Sequence, residues 1–85
     1  WIYVWGRLNE GEKDFIIYLL EHEGAKRVDL ENELGYAKSS IKRFINSFSN
    51  QGIIEFNSEK KFVISDKMLE RWLKIKYESN GFYPL

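Results

Sequence analysis

The chain has 85 residues, 44% hydrophobic and 16% aromatic, which suits one small core and is too apolar for a disordered segment. It holds no cysteine and no run of eighteen apolar residues, which excludes disulfides, thiolate metal sites and a membrane-spanning helix. Net charge is zero, but residues 1–35 carry four basic against eight acidic side chains and residues 36–85 nine against five, a −4/+4 asymmetry that predicts one face for an anionic partner.

Residues 1–8 are aromatic and alternating, with Trp1, Tyr3 and Trp5 on one side and Ile2 and Val4 on the other. That pattern predicts a short strand or a hydrophobic linker. The aromatics there either meet the remainder of a parent protein or close the local core. The chain opens on Trp1 rather than an initiator Met, so it is expected to be a piece of a longer protein or a processed one. No signal-peptide pattern is present, and a cytoplasmic location is expected.

A first helix is predicted over residues 11–23. Glu10, Glu12 and Asp14 suit its N-terminus, Phe15, Ile16, Leu19 and Leu20 form its apolar face, and Gly24 stops it. A second is predicted over 29–34, with Asp29 as N-cap, Leu30 and Leu34 one turn apart, and Gly35 permitting positive φ in the turn that follows. The third spans 37–51. Its Ile41, Phe44, Ile45 and Phe48 recur at i, i+3, i+4 and i+7, the mark of one buried stripe, and Gly52 ends it. Residues 53–56 and 61–64 are short apolar runs joined by Asn57-Ser58-Glu59-Lys60, which predicts a hairpin. Asp66 is expected to cap a fourth helix reaching about Tyr77, with Met68 or Leu69, Trp72, Leu73 and Ile75 turned inward. The tail 79–85, with Gly81 and Pro84, is expected to be irregular.

The stretch from Leu30 to Ile45, followed by Phe48 and Gln51-Gly52-Ile53-Ile54, resembles the winged helix-turn-helix family of DNA-binding domains. An apolar residue and a Leu-Gly pair precede a small polar run, basic residues and an apolar pair follow, and a Gly with two aliphatics opens the wing. The resemblance covers about residues 10–64. Glu31 stands where the family usually has a small residue, and Ala37 where it prefers a Ser or Thr cap. Further on, Phe62-Val63-Ile64-Ser65-Asp66 with Leu69 and Trp72 resembles the segment after the wing in the C-terminal winged helix of archaeal AAA-like P-loop ATPases, although Lys67 replaces their usual Pro. That resemblance implies an ATP-binding parent, but this chain has no phosphate-binding loop motif. The expected fold class is α+β and mostly helical: a three-helix core, a two-stranded hairpin wing and an additional C-terminal helix. Residues 1–9 are then an extension or linker, 10–64 the winged helix-turn-helix, and 65–85 a C-terminal helix and tail packed on the same domain.

The polar side of the third helix carries Ser39, Lys42, Arg43, Asn46 and Asn50, with Lys38 on the flank, and residues 37–51 contain no acid. A helix of this width fits the major groove of duplex DNA. Lys38 and Lys42 are expected at phosphates, Arg43 at guanine O6 and N7, and Asn46 at adenine. Ser39 and Ser40 stand at the helix N-terminus, which favours a phosphate. Lys60 and Lys61 at the wing tip are expected at phosphates across the neighbouring groove. The alternative is that these residues form only the wet side of an amphipathic helix and an ordinary turn. A protein-interaction role without DNA binding is the second reading, and homodimerisation through the fourth helix is compatible with either. The single histidine, His22, is expected to be a solvated helix-end residue. No cofactor is expected, and nothing in the sequence joins a nucleophile, a base and an orienting group, so the chain is not expected to be an enzyme.

Overall fold

The computed structural model describes residues 2–84. Within them the order is α1 (Ile2–Arg7), α2 (Glu10–His22), α3 (Arg27–Glu33), α4 (Lys38–Asn50), β1 (Ile54–Phe56), β2 (Phe62–Ile64) and α5 (Lys67–Asn80). The fold is therefore α+β and mostly helical, with one two-stranded antiparallel sheet.

The N-terminal segment is a helix, where alternation predicts a strand or linker. Helical spacing turns Trp5 into the core and leaves Tyr3 83% exposed. The Trp5 indole Nε1–H donates to the Pro84 carbonyl at 2.7 Å, and the ring meets Trp72 edge-on with centroids 6.3 Å apart. A buried indole needs such an acceptor, and here the far end of the chain supplies it. Trp5 is thus part of this chain's own core, Tyr3 is not, and Trp1 lies outside the described residues.

α2 begins one residue before the predicted start because Asn9 caps it. The Asn9 side chain accepts from Glu12 N–H at 2.8 Å, and the Glu12 carboxylate accepts from Asn9 N–H at 2.9 Å, a complete capping box. The helix ends at Glu23, which takes the left-handed conformation at φ 54°, and Gly24 follows at φ 110°. A Cβ on Gly24 would stand 2.8 Å from Val63 Cγ1, so only glycine lets the chain pass this close to β2. Ala25 then exchanges two backbone hydrogen bonds with Phe62, at 3.0 and 2.8 Å, and lies along the free edge of the hairpin. This anchor moves the start of α3 to Arg27, two residues before the predicted boundary. Lys26 is the N-cap and makes no side-chain bond. Asp29 sits inside the first turn instead of capping it, where a carboxylate still favours the helix dipole.

The core is assembled from Phe15, Ile16, Leu19 and Leu20 of α2, Leu30 of α3, and Ile41, Phe44, Ile45 and Phe48 of α4, as their periodicity predicts. Phe15 touches Phe44 and Phe48 at centroid distances of 6.0 and 5.6 Å. Burial of one such ring contributes on the order of 2 kcal/mol. Ile53, Ile54 and Ile64 close the core from the hairpin, which pairs Ile54 with Ile64, Glu55 with Val63 and Phe56 with Phe62. The Asn57 side chain shapes the turn by accepting from the N–H groups of Glu59 and Lys61, both at 3.0 Å.

Asp66 caps α5 as predicted, its carboxylate accepting from Met68 and Leu69 N–H at 3.1 and 3.0 Å. The helix runs to Asn80, past the predicted end near Tyr77, and stops at Gly81 with φ 79°. Leu69 and Leu73 are buried and Trp72 is half-buried, while Met68 is 75% and Ile75 48% exposed. Of the two alternatives Met68 and Leu69, the inward residue is Leu69, and the inward assignment of Ile75 is corrected. Leu69 and Leu73 lie one turn apart, and their direction puts residues 68 and 75 on another side. After the helix the tail folds back: Tyr83 packs on Tyr77 at 4.7 Å, and Pro84 receives the Trp5 hydrogen bond. Among the described residues no helix is long and apolar enough to cross a membrane.

Candidate nucleic-acid interface

The segments expected to bind DNA are the helix over 37–51, which corresponds to α4, and the hairpin over 53–64, with α3 and the turn from Leu34 to Ala37 leading into α4. Gly35 makes the turn at φ 75°. The turn is clamped to α2 by Tyr36, whose hydroxyl donates to the Asp14 carboxylate at 2.8 Å and whose ring meets Phe44 edge-on at 6.0 Å. Gly11 permits this approach, because a Cβ there would lie 3.1 Å from Phe44 Cζ and 3.3 Å from the Tyr36 ring. The clamp holds the start of α4 in a fixed phase relative to the core. It also raises the Tyr36 pKa above its ordinary value, first through the hydrogen bond to Asp14, then through burial and the nearby charges of Asp14 and Glu10. Sequence reasoning missed both the clamp and the Asn9 cap. The cap has a sequence signal, Asn followed three residues later by Glu, whereas Tyr36 and Asp14 meet only in three dimensions.

Once Ile41, Phe44, Ile45 and Phe48 are buried, α4 has one direction left for its polar residues. Lys38, Ser39, Lys42, Arg43, Asn46 and Asn50 are all exposed, and Ser40 is half-buried. The Arg43 guanidinium lies over the Phe44 ring, 5.6 Å from its centroid. Ala37 offers no side-chain cap, so the first amides of α4 face outward without one. No acid occurs in the helix. Among the described residues the ion pairs are Arg27–Glu31 and Lys74–Glu70, both on single helices. Lys38, Lys42 and Arg43 thus have no carboxylate within pairing distance in the described structure, and the positive charge of the face is not locally neutralised.

The hairpin is tied to the end of α4. Ile53 N–H donates to the Phe48 carbonyl at 2.9 Å, and Ser65 donates back to the Gly52 carbonyl at 2.8 Å. At its tip Lys60 is exposed, in the left-handed region at φ 61°, and Lys61 is half-buried. Phe56 on β1 is exposed and leans on Phe62 with centroids 4.9 Å apart.

Elsewhere the structure offers less. His22 is exposed at the end of α2, stacked on Tyr18 with centroids 3.9 Å apart, and its Nδ1 lies 3.0 Å from the Tyr18 carbonyl. Among the described residues no cluster of three His, Asp or Glu side chains could hold a metal ion. A cavity of about 290 Å³ between α2, β2 and α5 is bordered by Glu23, Lys67, Glu70 and Lys74. A second of about 340 Å³ lies between α2 and the tail, at Glu10, Lys13, Asp14 and Tyr83. Neither adjoins a nucleophile held by a base. No family model matches the chain, and no curated protein is similar to it.

Proposed function

We propose that this chain is a winged helix-turn-helix module that binds double-stranded DNA, with α4 as the recognition helix and the β1–β2 hairpin as the wing. The observation that carries the reading is the outward face of α4, where Lys38, Lys42 and Arg43 stand exposed, without an acid on the helix or an ion-pair partner among the described residues. Lys38 and Lys42 neutralise phosphates and release counterions, and Ser39 and Ser40 hold a phosphate at the uncapped helix N-terminus. Arg43 reads guanine and Asn46 adenine in the major groove. Lys60 and Lys61 reach phosphates beside the wing. The module serves a larger protein, and the resemblance of its C-terminal half suggests an ATPase of the archaeal AAA-like class as the parent.

Zero net charge and the exposed Tyr3 and Phe56 favour a second reading, in which the module binds protein rather than DNA. A fluorescence-anisotropy titration with random-sequence duplex DNA at about 20 mM salt separates the two. Saturable binding weakened by Lys42→Glu supports the DNA reading. No binding up to 100 μM protein leaves the protein-interaction reading.

A further inference from the structure

α5 holds the domain together with one side and leaves another without a partner among the described residues. Leu69 and Leu73 are buried, whereas Met68 is 75% and Ile75 48% exposed, seven residues apart and so on nearly one line of the helix. Phe82, just past the Gly81 stop, is 58% exposed. Trp72 borders the line and is half-buried against Trp5. Within the helix the row spans the seven-residue step from Met68 to Ile75, about 10.5 Å of a helix about 21 Å long.

From this face we infer that a second copy of this chain covers it, with the two α5 helices packed antiparallel and crossing at Ile75. The charges beside the row select that occupant. Arg71 and Glu78 lie on the same flank of the Ile75 line, Arg71 about 6 Å toward the N-terminus and Glu78 about 4.5 Å toward the C-terminus. A twofold axis through the crossing keeps each flank on its own side and reverses the axial direction. Arg71 therefore meets Glu78 of the partner subunit, offset by about 1.5 Å along the axis, and the pair occurs twice. Met68 comes opposite the C-terminal end of the partner subunit's α5. Ile75 meets its own symmetry mate. The opposite flank offers Trp72 and Ser79, so no like charges face each other there. Both Arg71 and Glu78 are exposed and outside the ion pairs found among the described residues.

A helix pair of this length buries on the order of 1,000 Å² in total, the lower edge for a specific interface, so the dimer is weak, with a dissociation constant on the order of 10–100 μM. This inference does not rest on DNA binding, and its test contains no DNA. Sedimentation velocity from about 5 μM to 1 mM protein should report a reversible monomer–dimer equilibrium. Ile75→Glu should raise the dissociation constant by more than about a hundredfold, with an unchanged far-UV spectrum because the residue is already half exposed. Arg71→Glu and Glu78→Arg should each weaken the dimer about tenfold, and the double reversal should restore it. A wild-type chain monomeric at 1 mM, or a dimer indifferent to Ile75→Glu, overturns the proposal. A double reversal as weak as the single ones overturns the antiparallel register.

Discussion

Replacing Lys42 and Arg43 together by alanine tests the DNA reading most directly, because both are exposed on α4 and neither contributes to the buried stripe. On random-sequence duplex Arg43 has no fixed guanine to grip and counts as a phosphate contact. With Lys38, Lys60 and Lys61 the face then presents five cations, none of them in an ion pair among the described residues. At about 0.9 counterion released per phosphate neutralised, the wild type should show a slope of log K against log salt near −4.5. Raising salt from about 50 to about 200 mM should thus weaken binding roughly 500-fold. The double variant keeps three cations, its slope should fall to about −2.7, and the same salt step should cost only about 40-fold. Anisotropy titrations at four or five salt concentrations measure both slopes, and circular dichroism checks that the variant is folded. Lys74→Ala with Lys76→Ala on α5 serves as the control and should keep the wild-type slope. If the α4 variant keeps that slope as well, or the α5 control lowers it equally, binding does not run through α4.

Four further variants test the framework behind that face. Gly24→Ala places a Cβ 2.8 Å from Val63 Cγ1 at a backbone φ of 110°, and should cost about 1–3 kcal/mol in urea unfolding, where a mobile loop glycine would cost little. Trp5→Ala empties a buried indole site and should lose about 3–5 kcal/mol. Trp5→Phe, which removes the hydrogen bond to Pro84, should lose about 1–2 kcal/mol and speed amide exchange in the 82–84 tail. Tyr36 has a folded-state pKa raised above its ordinary value of 10.0, so its contribution is complete below pH 10 and is lost as pH climbs through the raised value. Tyr18 and Tyr83, raised chiefly by burial, act in the same window. Tyr36→Phe should therefore be less stable than wild type at pH 8, and the gap should narrow as pH rises above 10. An equal gap at both pH values would mean that the Asp14 bond does not set the linkage.

Periodicity alone was enough to identify the buried stripe of α4 and the apolar face of α2. Four or five large apolar residues at helical spacing leave one way to bury them, and the polar residues of α4 are then outward by exclusion. Asp66 and the Asn57 turn were legible for a similar reason, since their side chains bond backbone groups two to four residues away. The misread elements depended on distant partners. Residues 2–7 alternate well enough to suggest a strand, yet among the described residues no second strand pairs with them, and Trp5 finds its acceptor 79 residues away. The start of α3 was set by the Ala25 bridge to Phe62, and the phase of α5 by which of two adjacent apolar residues, Met68 or Leu69, met the core. Local pattern thus determined which residues form each helix face, because hydrophobic burial and backbone capping act within a few residues. Where α1 and α3 begin, and which way α1 and α5 turn, was decided by contacts between segments far apart in the chain, whose energy no local window contains.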